Sequence, residues 1–300
     1  VLDAVNVSGS TTVNTGAKLR MNVIDSANLG ALTANGTVSL AYISNSNSSR
    51  TVTVTSLAGS GTVFGDAQGL NNSATLIING ASTSTFSGLI ANGGNSVVSL
   101  TKNGSGVQNL TGNNTYTGTT LVNGGTLFVN GNQASATGAV SVASGATLGG
   151  SGTIGGATSI SGILAPGNSI GTLNITANTT WQGASLASSD TDWKFELGST
   201  NTSDLLNITG SFLKDNASGS VFRFDFLNSS ITGNFTLVAW TGSTTFSASD
   251  FTYSNLGADK TGTFFISGNQ LRFEVVPEPG TWALLATSLT TLLILRRRRR

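Results

Sequence analysis

The chain has 300 residues, of which 9% are charged, 38% are hydrophobic and 39 are glycine, and it contains neither cysteine nor histidine. Those absences exclude disulfides, thiolate metal sites and cysteine nucleophiles, and they remove the commonest general base and metal ligand. The formal charge of +1 rests on five terminal arginines; the remaining 9 basic and 13 acidic residues give a mildly acidic body, which argues against a nucleic-acid partner.

The chain opens at Val1 with no charged-then-apolar leader. We read this as removal or truncation of an export signal and not as a mark of cytoplasmic residence. From about residue 36 the sequence reads as short strands separated by Gly, Asn and Ser turns. Examples are Thr37-Val-Ser-Leu-Ala-Tyr-Ile, Thr51-Val-Thr-Val-Thr and Ala74-Thr-Leu-Ile-Ile, then Thr126-Leu-Phe-Val and Ala139-Val-Ser-Val. Apolar and hydroxyl residues alternate in several of them, which suits a strand with one buried face. Between Ala67 and Ser189 the only charged residue is Lys102.

Leu148, Ile154 and Ile160 recur at a six-residue interval with glycine pairs between them. Strands this short suit the sides of a stacked coil better than a meander of long hairpins. Gly and Asn serve its corners, and Ser, Thr and Asn can form hydrogen-bonded ladders from coil to coil. At about 20 residues per coil, residues 1–180 would make about nine coils.

The stretch from Leu100 to Gly131 carries Lys102-Asn-Gly-Ser-Gly, then Asn114-Thr-Tyr-Thr-Gly, then Asn123-Gly-Gly-Thr-Leu. It resembles the autotransporter-associated β-strand repeat. Val107 and Gln108 depart from the pattern, standing where that family usually has Thr and Leu. The resemblance implies a right-handed parallel β-helix on an exported surface protein, and no particular ligand.

Residues 181–275 read as longer, more aromatic strands. Alternation over Val221 to Phe226 sets Phe222, Phe224 and Phe226 on one face and Arg223 and Asp225 on the other. This region is expected to be a β-rich C-terminal cap on the solenoid of residues 1–180, or else a small sandwich.

Residues 276–300 form the tail. Pro277-Glu278-Pro279 precedes an uncharged segment, 281–295, and then Arg296, Arg297, Arg298, Arg299 and Arg300. The segment carries Trp282, Leu284, Leu285, Leu289, Leu292, Leu293, Ile294 and Leu295, and is expected to be one short transmembrane helix. Trp282 suits an interfacial anchor, and the arginines should hold the C-terminus in the cytoplasm. The arrangement resembles the PEP-CTERM sorting signal. That likeness implies Pro277, Glu278 and Pro279 as recognition residues for an exosortase-type processing protease, at least transient contact with a membrane, and association with exopolysaccharide or biofilm matrix.

For catalysis the strongest cluster is Asp190, Asp192 and Glu196 with Lys194, whose competing reading is a solvated surface. Asp190, Asp192 or Asp204 could also bind calcium, although the nonapeptide calcium repeat is missing. Trp181, Tyr116 or Trp240, if exposed, could stack on sugars. The glycines at 152–156 lack the Gly-Lys-Ser/Thr of a phosphate loop and read as coil corners. The expected protein is therefore all-β and non-enzymatic, with no cofactor, no metal and no nucleic-acid partner, and lies at the cell surface or in the extracellular matrix. An adhesin or glycan-binding surface module is the second reading, and a β-helix polysaccharide enzyme the third.

Overall fold

The computed structural model describes residues 4–21, 26–41, 49–65, 73–183, 192–215, 220–227, 231–278 and 280. Alternation sets the local structure. In the strand Ser49–Val54 the side chains of Val52 and Val54 point inward while Ser49, Thr51 and Thr53 face out. Each strand then pairs in parallel with the strand one coil earlier and one coil later.

Three strands make a coil. The first face is a ten-stranded parallel sheet running from Ala4–Asn6 to Phe212–Lys214, so ten coils are stacked among the described residues. The second face runs from Ser10–Val13 through Ile163–Pro166 and on to Phe251–Ser254; the third begins at Lys18–Arg20 and ends in a seven-stranded sheet. At about 4.8 Å per coil the stack is roughly 50 Å long. Coils differ in length. Ser49 meets Ser73 24 residues later, Asn103 meets Asn123 20 later, and Asn178 meets Ser211 33 later.

The interior is built from like side chains in register. Val52, Leu76 and Leu100 form one column, Leu127, Leu148 and Leu164 another, and all are almost fully buried. Each such leucine contributes roughly 1.5–3 kcal/mol of burial.

Corners are set by a steric rule. Gly36, Gly61, Gly88, Gly112, Gly131 and Gly152 lie above one another where the second face turns into the third. A Cβ on any of the last five would overlap the backbone carbonyl of the glycine one coil earlier. Coils at strand spacing leave no room there for a side chain.

Composition changes near residue 180, but the ladders do not stop there. Thr179–Trp181 pairs with Phe212–Lys214, and Thr172–Ile175 with Leu205–Ile208, both in parallel. Across residue 180 the side chains change along these ladders: aliphatic columns give way to aromatic ones. Trp181 stacks on Trp193 with ring centroids 3.7 Å apart, and Phe222, Phe224 and Phe226 all point into the same core. The stack ends in a change of direction. Gln270–Pro277 lies antiparallel to Gly233–Trp240, and Lys260–Ser267 lies antiparallel to Gln270–Pro277. This hairpin forms the edge of the seven-stranded sheet of the third face.

Among the described residues the helical elements are single 3-10 turns at Ser199–Asn201 and Ala248–Asp250, and no helix is long and apolar enough to cross a membrane. The expected transmembrane segment 281–295 lies outside the described residues.

Candidate functional site

The segment from Leu100 to Gly131 builds nearly one and a half coils around one buried cation. Lys102 ends the strand Val97–Lys102 and turns inward, almost fully buried. Its ammonium donates to the carbonyl of Gly104 and, at 3.2 Å, to that of Gly124 in the next coil. The lysine thereby ties two consecutive turns whose carbonyls the sheets leave free. Burial pulls its pKa below the usual lysine value. Tyr116, also buried, shares a 2.7 Å hydrogen bond with Thr120, and burial pushes its phenol up to about 12 against the opposing pull of that bond.

Gln108, one of the two departures from the repeat pattern, is fully buried. Its amide donates to the carbonyl of Leu57 at 3.1 Å and accepts from the N–H of Leu57 at 3.4 Å, while Ser84 donates to the same amide oxygen at 2.7 Å. A glutamine can replace a missing piece of ladder here; leucine cannot.

Outside, polar side chains bridge the coils. Asn123 donates to Asn103 at 3.0 Å, Asn130 to Asn109 at 2.8 Å, and Asn207 to Asn174 at 3.0 Å. Asn130 also accepts from Asn168 at 3.0 Å. Over residues 73–183, where the one charged residue, Lys102, is buried, the result is an uncharged surface of amides and hydroxyls. Trp181, Tyr116 and Trp240 do not contribute to it; all three are buried in the core. The aromatic sugar platform considered for them is therefore absent at these positions.

Asp192, Glu196 and Asp204 each have different partners. Asp192 is buried and accepts from the Arg223 guanidinium at 2.6 and 2.8 Å. Asp204 is buried elsewhere and accepts from the backbone N–H groups of Gly171 at 2.9 Å and Glu196 at 2.8 Å. Burial pushes the Asp204 carboxyl up to about 7, outweighing the two N–H donors that favour its charge. The Glu196 carboxylate accepts from the Ser169 hydroxyl at 3.5 Å. Lys194 faces outward from the strand Trp193–Phe195, and Asp190 lies outside the described residues. No group of three or more His, Cys, Asp or Glu among the described residues is arranged to hold a metal ion. Sequence reasoning placed Asp204 among calcium candidates and missed its clamp on two backbone amides, because Gly171 is distant in the chain.

At the other end, Pro277 is the last residue of its strand, extended and opposite Lys260. The Glu278 N–H donates to the carbonyl of Asp259 at 2.9 Å, and both Pro277 and Glu278 are exposed. Pro279, Trp282, the leucines and isoleucine of 281–295, and Arg296 to Arg300 lie outside the described residues.

No curated protein matches the chain. Residues 100–129, the segment that buries Lys102 and Gln108, match the family model of the passenger-associated-transport-repeat, which supports the autotransporter-associated likeness of that stretch.

Proposed function

We propose that the protein is a non-enzymatic structural element exported to the cell surface or extracellular matrix. In this reading it is sorted by Pro277, Glu278 and Pro279, held in the membrane at least transiently by residues 281–295, and retained by Arg296 to Arg300 until an exosortase-type protease releases it. The observation that carries the reading is the unbroken ten-stranded ladder with an amide- and hydroxyl-rich exterior. Such a surface exchanges hydrogen bonds readily with hydrated polysaccharide, so exopolysaccharide is the proposed neighbour. The repeat match at residues 100–129 agrees with export. The exposed, extended Pro277-Glu278 strip agrees with protease access, since proline keeps the chain out of helix.

The test is the C-terminal mass of the protein recovered from its native host. Loss of everything beyond the Pro277–Pro279 region is expected. An intact Arg296–Arg300 tail in the membrane fraction would overturn the sorting step.

A further inference from the structure

Asn-Gly steps occur at Asn35, Asn79, Asn92, Asn103, Asn123 and Asn130, each directly after the last residue of a strand. Such a step is open to self-cyclisation. With no Cβ on the glycine, its backbone nitrogen can reach Cγ of the asparagine before it. Five of these steps are held against that approach. The N–H groups of Gly36, Gly93, Gly104, Gly124 and Gly131 each donate to a backbone carbonyl at 2.9 to 3.5 Å, all but Gly93 to the coil before. The side-chain amides of the same steps are bonded as well. Asn35 accepts the Ser60 N–H at 3.3 Å, Asn92 donates to the Thr117 hydroxyl at 2.7 Å, Asn123 donates to Asn103 at 3.0 Å, and Asn130 donates to Asn109 at 2.8 Å.

Asn79-Gly80 has neither restraint. It lies where the first face turns toward the second, after the strand Ser73–Ile78, and Asn79 is exposed. The backbone around it is anchored: the Asn79 N–H donates to the Val54 carbonyl at 2.8 Å, and the Gly80 carbonyl accepts the Gly106 N–H at 2.9 Å. Among the described residues, however, no partner takes the Gly80 N–H or the Asn79 side-chain amide. The register accounts for the difference. At this corner Asn79 stands between Thr55 in the coil before and Asn103 in the coil after, and Asn103 turns its side-chain oxygen to Asn123. Asn79 begins the amide column and gains no bond from it.

We propose that Asn79 is a self-modification site, at which the folded chain converts an amide to a carboxylate ahead of every other Asn-Gly step. The Gly80 nitrogen gives up its proton and bonds to Asn79 Cγ. The bond from Cγ to the side-chain nitrogen breaks, and ammonia leaves with a proton, closing a succinimide ring. Water then adds to either ring carbonyl and opens the ring to aspartate or isoaspartate. The step consumes only water and needs no oxidant or reductant. Its product is a new exposed negative charge on the surface of residues 73–183, where the one charged residue, Lys102, is buried. The inference rests on the corner geometry alone and not on how the chain is sorted.

The test follows amide loss in the purified full chain, held in mildly alkaline buffer and sampled by peptide mapping with fragmentation that locates each converted residue. In the folded chain Asn79 should convert about tenfold faster than any other Asn-Gly asparagine, the factor set by the hydrogen bonds the others must break. In urea, where no corner is formed, all of these steps should convert at similar rates. Asn79→Gln should remove the earliest acidic species seen on isoelectric focusing of the folded protein, because glutamine closes its larger ring slowly. Equal rates in the folded chain, or a lead for another Asn-Gly step, would overturn the proposal. An undiminished lead for Asn79 in urea would also overturn it, by tracing the reactivity to local sequence and not to the corner. An acidic species that persists in Asn79→Gln would place the modification elsewhere and overturn the assignment.

Discussion

The side-chain amide of Gln108 bonds both backbone groups of Leu57, 51 residues earlier in the chain, donating at 3.1 Å and accepting at 3.4 Å. The two residues lie two coils apart, and the amide fills the place of a peptide in a ladder that is thin between Ser56–Ala58 and Ser84–Phe86. Gln108→Leu would restore the side chain usual in the repeat and add apolar volume. It should nevertheless destabilise the protein by about 1–3 kcal/mol, because a buried N–H and carbonyl lose their partner. Chemical denaturation measures this, and a neutral or stabilising result would show that the amide is dispensable.

The glycine column makes a sharper prediction. At Gly112 a Cβ would overlap the carbonyl of Gly88, whereas at Gly9 a Cβ would meet nothing within 4 Å. Gly112→Ala should cost about 1–3 kcal/mol through coil separation. Gly9→Ala should be neutral or stabilising by up to about 1 kcal/mol, since only unfolded-state entropy changes. Equal effects at the two sites would remove the steric explanation of the corners.

Arg223 and Asp192 form the most buried ion pair of the aromatic coils, with the carboxylate 5% and the guanidinium 23% exposed. Arg223→Met should destabilise by about 3 kcal/mol, since it leaves a buried carboxylate without its cation. Adding Asp192→Leu should recover most of that loss. If the double variant is as unstable as the single one, the pair matters through packing and not through charge.

Asp204 predicts a pH dependence. Burial raises its folded-state pKa to about 7, above the ordinary value near 4 that it takes when unfolded. Between those values the folded protein holds the proton more often than the unfolded chain. Stability should therefore fall as pH rises from about 4 to about 7, with a slope of at most about 1.4 kcal/mol per pH unit, and flatten above. In Asp204→Asn the slope should vanish, at the cost of about 1 kcal/mol for one of the two backbone N–H bonds. Denaturation midpoints across this range distinguish the two profiles, and an unchanged slope in the variant would reassign the titration to another group.

Much of the architecture is legible in the residues themselves. Hydrophobic alternation in three-to-six-residue runs specifies strands with one buried face, and Gly and Asn between the runs specify corners. Lys102, isolated in a long uncharged stretch, marks the repeat that the family match recovers. What the sequence leaves undecided depends on contacts between distant coils. Whether the aromatic region after residue 180 begins a new domain cannot be read from composition, because composition reports the size of the core side chains and not the continuity of backbone pairing. The ladder from Thr179–Trp181 to Phe212–Lys214 carries the backbone pairing past that residue.

The same limit applies to single residues. Trp181, Tyr116 and Trp240 carry no local sign of facing inward, and only the closing of the coil buries them. Gln108 and Asp204 are polar residues whose partners, Leu57 and Gly171, become neighbours through stacking alone. The sequence by itself determined the strand pattern, the corner residues and the uncharged exterior, since these follow from side-chain chemistry over a few positions. Only the tertiary structure decided which polar groups are buried and paired, and where the stack ends, because parallel stacking brings together residues 20 to 50 positions apart in the chain.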